Sequence, residues 1–253
     1  MIVAELWRYP VKSMQGEPLE ALELEERGVT GDRSYGVLDL GSGTVISAKR
    51  EGRLLHAAAT LGPDGPTIRL PGGEMTTGTG PEVDAALSAW LGRPVALIRA
   101  EPERRATYER QVDFEDDSSA PSRWEGPPGS FVDASPLHLL TTASLRRLGL
   151  DRVDLQVKVR RFRPNLVIDT ESDGLAEQAW IGRDLALGSA TLRVHKSCSR
   201  CVVTTREQPG GIIRQLDVLR HINGAYEGNF GVRAMVAGKG RVSVGEPVEV
   251  TPA

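Results

Sequence analysis

Both cysteines of this 253-residue chain stand in one tetrapeptide, Cys198-Ser199-Arg200-Cys201, so any thiol chemistry is confined to one place. His195 and Lys196 lie just upstream and Arg200 sits between the two sulfurs. Cations of this kind lower a thiol's pKa, and the thiolate is both the nucleophile and the metal ligand. Four chemistries are open. A thioredoxin-type dithiol normally opens a helix after a strand, whereas Val202-Val203-Thr204-Thr205 has strand character here. His195-x-x-Cys198-x-x-Cys201 offers three groups, while a structural zinc site takes four; His56, His138 and His221 show no partnered spacing. Two inert buried thiols are the bland possibility. A single reactive or metal-ligating thiolate is the reading the flanking cations favour.

Three cationic clusters recur at strand edges. Lys12-Ser13 follows an apolar stretch ending Tyr9-Pro10-Val11, Arg33 closes the turn Gly31-Asp32-Arg33, and Arg160-Arg161-Phe162-Arg163-Pro164-Asn165 leads into Leu166-Val167-Ile168. Arginine suits bidentate phosphate binding and lysine serves as a point charge. A single such cluster is ordinarily a solvated surface; three in an acidic chain fit a phosphorylated cofactor or substrate. Phe131-Val132-Asp133-Ala134-Ser135-Pro136 adds a carboxylate and a hydroxyl at a loop-to-strand junction, where Asp133 reads equally as a turn residue or as a partner in a site.

Composition bounds the rest. Hydrophobic content of 40%, charged content of 26% and a net charge of −3 are ordinary globular values and exclude a protein that blankets nucleic acid, which carries a basic excess. No basic segment followed by an apolar run suggests a signal peptide, and no stretch reaches the ~18 apolar residues of a membrane helix. A cytoplasmic protein with reduced thiols is expected. An iron–sulfur cluster takes four protein ligands, and two cysteines do not suffice, so any redox chemistry draws electrons from a separate protein or reductant.

The elements that must position these groups are mostly strands. Residues 3–9, 21–24, 34–39, 44–47, 56–60 and 67–70 read as strands with tight turns, and one helix starts at Pro81 and stops at Gly92, with Val83, Leu87, Trp90 and Leu91 on one face. Residues 101–130 hold little that packs and read as an exposed interdomain loop, although long loops also carry substrate contacts. Beyond them come strands at 137–140, 166–169, 185–187 and 191–195, helices around 143–148 and 212–222, and closing strands at 233–236, 241–244 and 248–251. The fold class is mainly β (α+β), with a barrel-like core and a few short helices.

Taken in order, Tyr9-Pro10-Val11-Lys12-Ser13, Gly31-Asp32-Arg33, Asp133-Ala134-Ser135-Pro136, Phe162-Arg163-Pro164-Asn165, Cys198-Ser199-Arg200-Cys201-Val202-Val203-Thr204-Thr205 and Val244-Gly245-Glu246-Pro247-Val248 resemble the MOSC family, the molybdenum-cofactor sulfurase C-terminal domain, preceded by its N-terminal β-barrel domain. The resemblance implies a first domain over residues 1–98, a linker over 99–130 and the MOSC domain over 131–253. It is greatest to amidoxime-reducing components, and it implies a molybdenum cofactor (molybdopterin) whose metal is held by Cys201. Lys12, Ser13, Arg33, Arg163 and Asn165 would hold the pterin and its phosphate, and Asp133 and Ser135 would lie near the metal and the pterin. The implied activity is reduction of small N-hydroxylated compounds (hydroxylamines, amidoximes, N-hydroxylated base analogues), with Asp133 assisting proton delivery. Electrons would come from a separate protein, a ferredoxin or a cytochrome b5-like carrier with its reductase, because neither a membrane anchor nor a fused ferredoxin domain is read in the sequence. Sulfur transfer through a Cys201 persulfide, and non-catalytic cofactor binding, are the alternatives the same family implies.

Overall fold

Val3 and Leu6 are the buried positions of the strand Ile2–Arg8, three apart because a bulge falls between Val3 and Glu5, and they place the first strand of the chain in a sheet built mostly from its second half. Ile2–Arg8 pairs antiparallel with Leu166–Asp169 on one side and Glu17–Leu19 on the other. Leu166–Asp169 runs parallel to Leu137–Thr141, which pairs with Asn229–Gly238. Ala190–Ser199, Asp184–Leu187 and Val248–Val250 complete an eight-stranded sheet. Its inner face buries Leu6, Leu139, Ile168, Leu192 and Val232, covered by Leu22 and Leu24 of the smaller sheet in which Ala21–Glu25 pairs with Gly240–Ser243. The computed structural model describes residues 1–251.

Register shifts in the pairs Ile2–Arg8/Leu166–Asp169 and Ala190–Ser199/Asn229–Gly238 curl this sheet. The curl brings its two ends together: the Val3 amide donates to the Glu246 carbonyl at 2.9 Å and the Val248 amide to the Met1 carbonyl at 3.0 Å. Only a single bridge, Ile2 to Pro247, forms there, because proline has no N–H with which to extend a ladder. The sheet is therefore barrel-like without closing.

A second core gathers Val11, Val37, Leu54, Ile68, Leu87 and Leu97. It lies among the pair Tyr35–Asp39/Val95–Arg99, the meander Ala58–Gly62, Gly65–Arg69, Met75–Thr77, and the helix Pro81–Leu91. That helix is bounded as its sequence dictates, by Pro81 in its first turn and by Gly92 in the left-handed region at φ 66°. A third cluster packs Leu148, Phe162, Ile222 and Phe230 around the helices Thr142–Asp151 and Asp217–Ala225.

Four segments differ from expectation. Residues 44–47 form only isolated bridges through Val45 and no strand, and the helix expected around 212–222 begins at Asp217. Residues 101–130 contain a hairpin, Thr107–Gln111 paired with Pro121–Glu125. One face carries Tyr108 against Trp124, ring centroids 5.0 Å apart, while Glu109, Arg123 and Glu125 on the other face mask the alternation. Val202–Thr205 is a turn of 3-10 helix and not a strand. The Thr204 and Thr205 hydroxyls donate to the carbonyls of Cys201 and Val202 at 2.9 and 2.8 Å, local bonds that outweigh the β-preference of the side chains.

Candidate functional site

The eight residues that the family resemblance implies for the site border one open cleft of about 750 Å³, whereas His195, Lys196, Arg160 and Arg161 do not line it. Lys12 and Ser13 come from the turn after the first strand, Arg33 from the next turn, and Asp133 and Ser135 from the approach to Leu137–Thr141. Arg163 and Asn165 follow the short helix Val159–Phe162, and Cys201 starts the 3-10 turn. Three of the four non-glycine residues with positive φ among the described residues are Ser13 (69°), Arg33 (47°) and Arg163 (54°), and all three line the cleft. Such strain concentrates at functional sites, where surrounding bonds enforce it. Here the Ser13 hydroxyl accepts from the Ala48 amide at 2.9 Å, the Arg33 amide donates to the Tyr9 carbonyl at 2.7 Å, and the Arg163 amide caps its helix.

Six cationic side chains face the cleft, Lys12, Arg33, Lys49, Arg163, Arg200 and Arg233, against the single carboxylate of Asp133. Asp133 is wedged between two ammonium groups, with Lys12 Nζ 2.6 Å from Oδ1 and Lys49 Nζ 2.9 Å from Oδ2. Burial alone would raise its pKa, but Lys12 and then Lys49 outweigh that and hold the carboxyl far below the usual range. Held ionised in this way, Asp133 is a counter-ion and a poor proton carrier. Lys12 is the opposite case. Burial pulls it down to about 8, only partly offset by Asp133, and its ammonium also donates to the Phe131 carbonyl at 2.7 Å. The hairpin backs both lysines: Lys12 lies 4.3 Å from the Tyr108 ring centre and Lys49 4.0 Å from that of Trp124.

Two guanidiniums pack on the Tyr9 ring, Arg33 at 4.7 Å and Arg163 at 4.3 Å from its centre. Arg33 is also bound to Asp32 and donates to the Arg163 carbonyl at 3.3 Å. Asn165 is fully buried; its side chain donates to the Trp7 carbonyl and accepts from the His138 amide, both at 3.3 Å, and so fixes the cleft floor. Ser135 Oγ lies 2.9 Å from His195 Nε2. Cys201 is half-buried and free, whereas Cys198 is buried in the cleft wall. Two buried donors at the cleft, Arg163 Nη2 and Arg200 Nε, have no hydrogen-bond partner among the described residues. Unpaired buried donors of this kind are costly, and an anionic ligand with several acceptor oxygens satisfies them.

Lys49, His138 and Arg233 belong to this lining and were not singled out in the sequence. Lys49 and Arg233 carry no motif. His138 left a trace, as the one polar residue in the buried run Leu137-His138-Leu139-Leu140.

Comparison with known proteins finds relatives over nearly the whole chain. Mitochondrial amidoxime-reducing component 1 of Homo sapiens is 27% identical over 97% of this chain and 82% of the relative. The protein of the same name from Xenopus laevis is 29% identical over 98% of this chain and 81% of the relative. A molybdenum cofactor sulfurase of Danio rerio is 26% identical over 91% of this chain but 31% of its own length. The model of the MOSC N-terminal β-barrel domain matches residues 1–92 and that of the MOSC domain matches residues 127–249. The chain therefore belongs to the MOSC family, with a MOSC N-terminal β-barrel domain ahead of its MOSC domain.

Proposed function

We propose that the cleft binds the molybdenum cofactor and that the protein reduces N-hydroxylated small molecules. The observation that carries this reading is the facing of six cations and two free thiols, of which Cys201 is the more exposed, across a cleft with a single, already neutralised carboxylate. Lys12, Arg33 and Arg163 would hold the cofactor's phosphate and ring oxygens, Ser135 would bind the pterin beside them, and Ser13 and Asn165 fix the backbone around them. Arg163 Nη2 and Arg200 Nε are donors in wait for such acceptors. Cys201 would be the metal ligand, since a soft thiolate suits a softer transition metal. When bound, the cofactor supplies two-electron redox chemistry; the protein supplies position, charge and exclusion of competing partners. Electrons would come from a separate carrier protein, and the substrate would enter through the open mouth of the cleft.

Sulfur transfer through Cys201 is the second reading, and the likeness to the sulfurase favours it. A persulfide needs one cysteine and leaves the six cations without a purpose, so the reductase ranks first. The test is turnover of a hydroxylamine and an amidoxime by protein from a cofactor-producing host, with a reduced dye as electron donor. Amine and amidine formed at a rate that Cys201→Ser abolishes supports the reductase. Full cofactor loading with no turnover of either compound overturns it.

A further inference from the structure

Reduction of a hydroxylamine consumes two electrons: R–NHOH + 2 e⁻ + 2 H⁺ gives R–NH₂ + H₂O. The N–O bond breaks, nitrogen is reduced, the hydroxyl leaves as water, and water in the cleft supplies the protons. Two cysteines do not suffice for an iron–sulfur cluster, so the electrons come from a second protein, which must seat itself close to the cleft.

The sheet beside the cleft carries charges that the cofactor reading does not use. In the ladder between Ala190–Ser199 and Asn229–Gly238, Lys196 stands opposite Arg233 and Arg193 opposite Met235. Side chains alternate between the faces of a strand, so Arg233 and Met235 share the face turned away from the core residues Val232 and Ala234. On that face Arg233 borders the cleft, while Lys196 is exposed and lies outside the lining. A register shift falls between Val194 and Lys196. His195, at that shift, is exposed as well, and its Nε2 lies 2.9 Å from Oγ of the cleft residue Ser135. Met235 is 42% exposed.

Like charges directly opposite one another on a ladder, with Cβ atoms about 5 Å apart, are destabilising. The neighbouring cation on this face is neutralised, since Arg193 pairs with Asp184. Among the described residues Lys196 and Arg233 have no such carboxylate. The chain as a whole carries a net charge of −3 and repels an acidic protein, whereas this rim attracts one. Local charge of this kind steers a partner to one orientation.

We propose that Lys196, Arg233 and Met235, with His195 beside them, form the docking face for an acidic one-electron carrier protein, an inference that rests on the reductase reading given above. Carboxylates of the carrier pair with Lys196 and Arg233, and an apolar contact covers Met235. Each docking delivers one electron into the cleft and leaves the carrier oxidised, so two dockings serve one turnover. A small, electrostatically steered contact suits a partner that must leave after every electron.

The first test needs neither cofactor nor turnover. Two acidic probes, an oxidised plant-type [2Fe–2S] ferredoxin and the soluble haem domain of a cytochrome b5, are titrated into the protein by calorimetry at low salt. At least one is expected to bind the wild type and to weaken with added salt. Lys196→Glu should lower that affinity about 10-fold or more, Met235→Glu should weaken it too, and Lys196→Arg should keep it. Lys239→Glu makes the same change in net charge beyond the other end of the strand, where Lys239 pairs with Glu25 on the surface, and should bind as the wild type does. Binding of neither probe, no effect of Lys196→Glu, or equal losses in Lys196→Glu and Lys239→Glu overturns the docking face. The second test uses loaded protein. Because Lys196 lies outside the cleft lining, Lys196→Glu should keep the dye-driven rate yet lower kcat/KM for the reduced carrier about 10-fold, a difference that closes at high salt. Equal carrier-driven rates in variant and wild type overturn the docking face and leave the reductase reading standing. Loaded wild-type protein that reduces no N-hydroxylated compound with the dye removes the reductase reading and the electron delivery with it, and the Lys196-dependent binding then decides the face alone.

Discussion

Two ammonium groups sharing one carboxylate make the region around Asp133 a charge reservoir that an incoming anion can rearrange. Asp133→Asn leaves Lys12 and Lys49 facing each other without their counter-ion. Because Asp133 is about one-third exposed, the expected loss is about 1–3 kcal/mol, below that for a fully buried pair. It is measured as a lowered Tm, and added inorganic phosphate should restore more of it in the variant than it adds to the wild type. Equal stabilisation by phosphate in both proteins contradicts the assignment of these lysines to the anion site. Lys12 also sets a pH limit. With its pKa pulled down to about 8, the cleft carries its full charge below that value and loses one positive charge as pH rises through it. Affinity for inorganic phosphate, measured by calorimetry, should fall above about pH 8 beyond what phosphate ionisation explains, and Lys12→Met should remove the extra fall. At this scale the sequence was informative: Lys12, Ser13, Arg33, Asp133, Ser135, Arg163, Asn165 and Cys201 were all singled out and all line one cleft. What was not legible was who partners whom. The binding of Asp133 by Lys49 joins residues 84 positions apart in the chain, and no local pattern encodes it.

The hairpin Thr107–Gln111/Pro121–Glu125 shows what an element adds. Tyr108 and Trp124 back the two lysines. Asp117 of its tip binds Arg206 at 2.8 Å and Arg214 at 3.0 Å, and Glu115 binds Arg220 at 2.7 Å. Arg206 follows the Cys201 turn directly and also donates to the Lys49 carbonyl at 3.0 Å, so the hairpin ties the lysine side of the cleft to the cysteine side. Arg206→Ala should raise hydrogen exchange in residues 113–120 and 202–206 together, whereas a change confined to either segment contradicts the tie. Read from sequence, this stretch lacked apolar alternation, because its stability comes from ion pairs to distant arginines and two aromatic rings. The helix Pro81–Leu91, by contrast, was legible at both ends because proline, the apolar stripe and Gly92 are all local signals.

At the scale of the molecule, the first strand Ile2–Arg8 lies in the sheet of the second half, and the strand Ala21–Glu25 pairs with Gly240–Ser243 near the other end of the chain. A fragment of residues 127–251 lacks Val3, Leu6, Leu22 and Leu24 from its core and exposes the edge of Leu166–Asp169, so it is expected to aggregate or stay unfolded. A soluble fragment with a cooperative melt contradicts this. Mainly β structure was readable from alternation and turns, but the crossing of the two halves was not, since a strand's pattern specifies which face is buried and not which strand it pairs with. The crossing matters because it brings Lys12, Ser13 and Arg33, encoded early, onto the same cleft as Arg163 and Cys201. The central claim is that these residues converge on one molybdenum cofactor held by Cys201. It is tested most directly by molybdenum and pterin content, per chain, of protein purified from a cofactor-producing host. The account predicts about one of each in the wild type, most of it kept in Cys198→Ser and the metal lost in Cys201→Ser; wild-type protein with neither metal nor pterin, or equal loss in the two variants, contradicts it.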